Sequence, residues 1–67
     1  MITVNLNGAP REVAPGTTLG GLLASLDLHP RLVVVEHNRE IVERTVLDTT
    51  EMREGDNVEV VHFVGGG

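Results

Sequence analysis

The sequence predicts an α+β domain in which a mixed sheet of four or five strands packs one main helix on one face. Residues 2–6 alternate apolar and polar side chains, which is the period of a half-buried strand. Leucines then recur at positions 19, 22, 23 and 26, the spacing of one helix face. Because a hairpin comes before the helix and further strands follow it, the helix is expected to cross one face of a single sheet.

The first hairpin is predicted from its turn residues. Asn7-Gly8 is a strong signal for a two-residue hairpin turn. Pro10 is expected to delay the return strand, which is therefore placed near residues 11–13, and Pro15-Gly16 closes the hairpin as a turn.

The helix is predicted to begin after Thr17 or Thr18, since a threonine hydroxyl can cap its first turn. Gly20 and Gly21 each cost this helix about 1 kcal/mol relative to alanine. The leucine stripe is expected to compensate by packing on the sheet. Pro30 ends the region.

Three further strands are predicted in the second half of the chain. They are residues 32–37, 41–42 and 57–64. Turns are expected at 38–40 and 54–56, and the stretch 43–52 is expected to be irregular, with three apolar residues under the sheet: Val46, Leu47 and Met52. The sheet residues predicted to face the helix are Ile2, Val4, Leu6, Val13, Val33, Val35, Val58 and Val60.

Composition excludes several classes of function. The 67 residues suffice for one domain, predicted over 1–64, and contain no cysteine for disulfides or thiolate chemistry. The formal net charge of −5 argues against nucleic acid and anionic membranes and favours a basic protein partner. All five cations are arginines. The first residues show no secretory signal, so a cytoplasmic location is expected.

No constellation of side chains predicts an active site. The three histidines, at positions 29, 37 and 62, match no metal-binding spacing, and Ser25 lacks the glycine context of a nucleophile elbow. We therefore expect no bound metal or cofactor and no catalytic activity in this chain itself.

The C-terminal region carries the functional signal. Alternation along the last strand places Val61 and Phe63, the only aromatic residue, on the face opposite the core, where they are predicted to dock a partner. Beyond Val64, a tail of three glycines, Gly65, Gly66 and Gly67, could thread a narrow channel because glycine has no Cβ. A frayed terminus is the alternative interpretation of this tail.

The order of elements resembles the β-grasp, or ubiquitin-like, fold, and the whole chain resembles its sulfur-carrier branch. Within that branch it most resembles the thiamine-biosynthesis sulfur carriers, the ThiS family. The resemblance is carried by four sequence features: the Asn7-Gly8 hairpin, residues 35–42 with Arg44, Gly55-Asp56, and the ending Val61-His62-Phe63-Val64-Gly65-Gly66-Gly67. The small subunit of molybdopterin synthase is typically longer and carries prolines just before its terminal glycines. This chain has no proline at those positions.

This resemblance implies a carrier and not an enzyme. An E1-like adenylating enzyme (ThiF type) would use ATP to adenylate the carboxylate of Gly67. A persulfide sulfur, supplied through a cysteine desulfurase or related donor, would convert it to a thiocarboxylate. Thiazole synthase (ThiG type) would then receive the sulfur. Val61, Phe63, Val64, Gly65 and Gly66 would contact these partners.

Three other functions remain open at the level of sequence. The carrier could serve another sulfur acceptor, such as molybdopterin synthase or a tRNA-thiolating enzyme. It could modify proteins by forming isopeptide bonds, as ubiquitin does. It could also be a β-grasp interaction module with an inert tail.

Overall fold

A five-stranded mixed sheet carries one α-helix on one face, as predicted. The computed structural model describes residues 1–63. The strands are β1 (Ile2–Leu6), β2 (Ala9–Val13), β3 (Val33–His37), β4 (Glu40–Val42) and β5 (Asn57–His62), and the helix is α1 (Leu19–Ser25). Two 3-10 helices span Pro30–Leu32 and Arg44–Thr49. The sheet order is β2-β1-β5-β3-β4, with β1 and β5 parallel and the other pairs antiparallel.

The β1–β2 hairpin turns at Asn7-Gly8, as the sequence predicts. Both residues have positive φ, 50° and 84°, which asparagine and glycine tolerate best. The prediction that Pro10 delays the return strand is wrong, since β2 begins at Ala9 and Pro10 lies opposite Asn5. Pairs in an antiparallel ladder alternate, so the nitrogen of Pro10 points away from β1. A missing N–H on this outer edge therefore costs no hydrogen bond.

Helix α1 begins as one of the two predicted threonines specifies. The hydroxyl of Thr18 accepts a hydrogen bond from the N–H of Gly21 at 3.0 Å. Thr17 instead donates its hydroxyl to the carbonyl of Ala14 at 2.7 Å. The backbone on both sides of the cap is tied to a later segment, because Leu19 donates to Thr50 and Thr17 accepts from Met52.

The core lies between α1 and one face of the sheet. The leucines at 19, 22 and 23 are buried there, and Leu26 packs against them. Of the eight predicted core residues of the sheet, five are buried and three (Ile2, Leu6 and Val60) are partly buried against the same cluster.

The prediction that residues 43–52 are irregular is wrong, since they contain a 3-10 helix, and one of the three apolar residues is placed differently from the prediction. Leu47 and Met52 are buried as expected, but Val46 is 44% exposed. Residues 44–49 form a 3-10 helix, in which neighbouring side chains diverge by about 120°. Pointing Leu47 into the core therefore turns Val46 outward.

Strand boundaries shift by one or two residues from those predicted. Leu32 belongs to a 3-10 helix and Glu40 to β4. The turn between β3 and β4 is Asn38-Arg39, with φ of 51° and 74°. Strand β5 ends at His62, and the rest of the predicted strand includes Val64, outside the described residues. No helix within residues 1–63 is long and apolar enough to cross a membrane.

The two helical glycines are expected to respond oppositely to alanine substitution. A Cβ on Gly20 would overlap the carboxylate of Asp48 and lie 3.3 Å from its Cα, so Gly20→Ala should destabilise the domain by about 1–2 kcal/mol. A Cβ on Gly21 would make ordinary contacts, 3.4 Å from the Thr18 hydroxyl, so Gly21→Ala should stabilise it by about 0.5–1 kcal/mol. Urea unfolding of both variants checks this. Equal midpoints would contradict the assignment of Gly20 to a close approach.

Candidate functional site

The candidate site is the C-terminal end of β5 and the sheet face around it. Val61 and Phe63 lie in the described part of the chain and are 55% and 50% exposed, as predicted. Val64, Gly65, Gly66 and Gly67, the other predicted site residues, lie outside the described residues.

An apolar strip crosses β5 and β3 beside this end of the sheet. We define the strip as Leu32, Val34, Val61 and Phe63. Val34 lies directly opposite Val61 in the antiparallel ladder, and Phe63 donates its N–H to the carbonyl of Leu32 at 2.9 Å. Leu32 is 45% exposed, so three of the four side chains are about half open to solvent. Sequence reasoning found Val61 and Phe63 by alternation but missed their two β3-side neighbours, which become adjacent only through strand pairing.

Two carboxylates continue this face beyond the strip. Glu36 and Glu59 are directly opposite each other, two pairs further along the β3–β5 ladder than Val34 and Val61, and they form the next pair on this face. Within residues 1–63 the one ion pair is His37–Asp56, so neither glutamate forms an ion pair, although Arg39 lines the same pocket as both. Like charges opposite each other in a sheet are destabilising. This face therefore presents apolar surface beside two opposed carboxylates that form no ion pair.

Asn7 holds β5 beyond the point where β1 ends. Backbone pairing of β1 with β5 reaches only Leu6 opposite Val58. The Asn7 side chain then substitutes for a strand residue, because its Oδ1 accepts from the N–H of Val60 at 2.8 Å and its Nδ2 donates to the Val60 carbonyl at 3.3 Å. The sequence assigned Asn7 to a turn and gave no sign of this second role.

Asp56 fixes the opposite end of β5. Its Oδ2 lies 2.7 Å from His37 Nε2 and accepts the N–H of Arg53 at 2.8 Å, and its Oδ1 accepts from Asn38 Nδ2 at 3.3 Å. Its carbonyl accepts the N–H of Asn5 at 2.8 Å. Asp56 thus joins β1, the β3–β4 turn and the start of β5. The sequence supplied Asn38 and Asp56 only as marks of family resemblance.

The surroundings of Asp56 keep it charged. Burial alone would raise the pKa of this carboxyl group. The hydrogen bonds from His37, the Arg53 amide and Asn38, with the charge of His37, outweigh burial and hold the pKa below its ordinary value of 3.8.

Two of the three histidines, His29 and His37, have structural contacts. His29 caps the first 3-10 helix by accepting the N–H of Arg31 at 3.1 Å, and His37 is bound to Asp56. Among residues 1–63 no three His, Asp or Glu side chains are placed to hold a metal ion.

Asn7→Gly should test the clamp on β5 without disturbing the turn. Glycine adopts the positive φ of position 7, but it removes both side-chain bonds to Val60. We expect a loss of about 1–2 kcal/mol in the free energy of unfolding and faster hydrogen exchange at the Val60 amide. Gly8→Asn, a substitution in the same turn that leaves Asn7 in place, is the control. An unchanged Val60 exchange rate in Asn7→Gly would contradict the clamp.

Asp56→Asn should reveal the acid-sensitive part of the fold. A carboxyl whose pKa is lower in the folded than in the unfolded chain stabilises the fold above its unfolded pKa. That contribution is lost as the pH falls below 3.8 and through the lowered folded value. The native chain should therefore be more stable than Asp56→Asn near neutral pH, and the difference should shrink below about pH 4. A difference that is independent of pH, measured by urea unfolding, would contradict this role.

Comparison with known proteins identifies the family. A family model described as the ThiS family matches residues 4–67. The sulfur carrier protein ThiS of Bacillus subtilis is 44% identical over 65 residues, covering 96% of this chain and 98% of that protein. A crystal structure of thiamine biosynthesis protein ThiS from Geobacter metallireducens superposes with a TM-score of 0.83 at 36% identity, covering 98% of this chain and 100% of that one.

A second kind of relative is much longer. A thiazole synthase of Magnetococcus marinus is 45% identical over 64 residues, which are 96% of this chain but 20% of that protein. The chain thus spans about a fifth of the length of such relatives. The fold predicted from the sequence is confirmed, and these relatives support the predicted function of a sulfur carrier in thiamine biosynthesis. By the family model and the full-length relatives alike, this chain belongs to the ThiS family.

Proposed function

We propose that this chain carries sulfur as a thiocarboxylate on Gly67 and delivers it for thiazole formation in thiamine biosynthesis. The similarity to the Bacillus sulfur carrier over almost the full length of both chains carries this proposal. The family match also includes Gly65, Gly66 and Gly67. Residues 1–64 are the folded domain in this proposal, and 65–67 are the tail that enters partner enzymes.

The chemistry requires activation because a carboxylate is a poor electrophile. In the proposed cycle, a carboxylate oxygen of Gly67 attacks the α-phosphorus of ATP, and pyrophosphate leaves. A persulfide sulfur then attacks the carbonyl carbon of the acyl adenylate, and AMP leaves. A thiol then attacks the donor-side sulfur of the resulting acyl disulfide. The thiol and the donor end as a disulfide, and Gly67 is released as the thiocarboxylate. The anionic sulfur is a good nucleophile for the next enzyme.

The proposed partners supply all of this catalysis. An activating enzyme of the ThiF type would adenylate the tail, and a cysteine desulfurase or related donor would supply the persulfide. A thiazole synthase of the ThiG type would accept the sulfur. Relatives named thiazole synthase, of which this chain matches about a fifth, support the last partner. A cytoplasmic location fits these reactions and stays a proposal.

The apolar strip is the proposed docking surface for these enzymes. It includes Phe63, the last described residue before the tail, and half-exposed apolar side chains on a small domain are typical of interaction sites. The Glu36–Glu59 pair next to it favours a partner surface that places an arginine or lysine beside an apolar patch.

Intact mass of the purified chain is the decisive experiment. The chain is isolated from cells that hold its activating and sulfur-donor enzymes. The expected result is a fraction in which one oxygen is replaced by one sulfur, absent from a variant lacking Gly67. If the mass is unshifted and no AMP adduct forms with ATP and the activating enzyme, the proposal is wrong. High-mass conjugates in extracts would instead identify a protein modifier.

Phe63→Ala should weaken docking without unfolding the domain. Phe63 is half exposed, outside the buried core, so its removal costs the fold little. As a central anchor of the strip it should contribute about 1–3 kcal/mol to binding of the activating enzyme or the synthase. Val46→Ala is the matched control, since Val46 is 44% exposed but lies away from the strip. Isothermal titration of the three chains gives the comparison. Equal affinities would remove Phe63 from the docking surface.

A further inference from the structure

Strand β5 continues further along the sheet than its parallel neighbour. The β1–β5 ladder ends at Leu6 opposite Val58, whereas β5 runs on to His62. The β1 chain turns away at Asn7-Gly8 to enter β2, and the Asn7 side chain covers the backbone of Val60. Past Val60, therefore, no strand of the described residues 1–63 occupies the position beside β5 into which β1 would extend.

The hydrogen-bond pattern shows which residue faces that place. On the β3 side, Asn38 donates to Asn57 and Phe63 donates to Leu32. Because backbone groups alternate along a strand, residues 57, 59, 61 and 63 face β3, and residues 58, 60 and 62 face β1. Val58 and Val60 are indeed bound from that side, by the amide and the side chain of Asn7. The N–H and C=O of His62 point the same way, and no group within residues 1–63 binds them.

The edge of β5 at His62 is accessible. His62 is exposed, and neither the β1–β5 ladder nor a hydrogen bond from residues 1–63 reaches its N–H and C=O. The two outer edges of the sheet are, by contrast, poor sites for pairing. Edge strand β2 holds Pro10, whose nitrogen points outward, and edge strand β4 has only three residues.

We propose that an extended segment of thiazole synthase adds to the sheet here, pairing with the backbone N–H and C=O of His62 in the position that β1 leaves. This inference rests on the proposed function. His62 is five residues before Gly67, so pairing at this point would fix the direction in which the tail leaves the sheet. Backbone pairing to an exposed strand edge is a common way for a domain to hold an extended segment.

A second copy of this chain is a poorer occupant than the synthase. Each copy carries a formal net charge of −5, and its unpaired Glu59 lies three residues from His62 on the same strand. Pairing two copies along this edge would bring these charges together. Relatives named thiazole synthase, of which about a fifth matches this chain, favour the synthase instead.

Amide hydrogen exchange in the native chain tests the pairing directly. In the free domain the His62 amide should exchange much faster than those of Val61 and Phe63, which face β3. In the complex with thiazole synthase its exchange should slow at least tenfold. The Val60 amide, already bound to Asn7, should change less and serves as the internal reference.

A pair of variants separates the backbone from the side chain of His62. His62→Pro removes the N–H that points away from β3, so the β3–β5 ladder keeps its bonds, whereas His62→Ala keeps the N–H and removes the imidazole. We expect His62→Pro to bind the synthase at least tenfold more weakly than His62→Ala. Thermal unfolding shows whether both variants remain folded. If His62→Pro unfolds, the exchange measurement on the native chain decides whether the His62 backbone pairs with the synthase.

The outcomes distinguish this inference from the proposed function. A complex in which the His62 amide still exchanges freely would overturn the strand pairing and leave the carrier function standing. A chain dimer with a protected His62 amide, detected by sedimentation in the absence of synthase, would also overturn it in favour of self-association. If no complex with the synthase forms at all, the partner itself is wrong, and the inference falls with it.

Discussion

The fold depends on how β5 is held at the centre of the sheet. Its parallel pairing with β1 covers only two residue pairs, which is little for the strand that leads into the tail. At the start of β5 the carbonyl of Asp56 accepts the N–H of Asn5, and the Asp56 side chain binds His37 and Asn38. Towards the other end the Asn7 side chain binds the N–H and C=O of Val60, which a longer β1 would otherwise have bound. The chain can therefore turn early into β2 without leaving Val60 unpaired.

Within residues 1–63 the core packs on one face of the sheet, and the apolar strip lies on the other face. The buried residues of the described range 1–63 are all apolar and lie between the sheet, α1 and the segment that follows β4. A chain of 67 residues has a small core and is expected to be marginally stable. The opposed carboxylates of Glu36 and Glu59 reduce that stability. The half-exposed Phe63 lies outside the buried core and adds little to it. Their presence on the same face, beside the end of β5, is consistent with a surface kept for binding.

Local sequence signals predicted most of the fold. Asn7-Gly8 predicts its turn because few other residues adopt positive φ, and the leucine spacing predicts α1 because burial selects one helix face. Pro10 misled the prediction, since its effect depends on which edge of the sheet the strand occupies. Val46 misled it because a 3-10 helix and an irregular loop look alike in sequence. Both errors concern features of the folded chain, the edge position of β2 and the 3-10 helix, that local sequence does not specify.

The candidate site was predictable to the extent that it follows from alternation along one strand. Val61 and Phe63 are of this kind. Leu32 and Val34, the Glu36–Glu59 pair and the second role of Asn7 arise from the register of strands that are distant in sequence. The resemblance to the sulfur carriers pointed to Asn38 and Asp56 but gave no physical reason for these residues. The structure gives the reason: both bind at the start of β5, where the β3–β4 turn and β1 meet.

A carrier whose partner enzymes perform the chemistry, as proposed here, must control where its terminal group goes. The apolar strip can fix the domain on a partner surface, but contact with one face leaves the domain free to rotate about the axis perpendicular to that face. A backbone bond at the strand edge acts in the plane of the sheet, at about a right angle to the first contact. If both proposed contacts form, they would together fix the position and direction of the end of β5 on the partner. Glycines can then cover the remaining distance to the reacting atoms, because the tail needs conformational freedom only after its starting direction has been set.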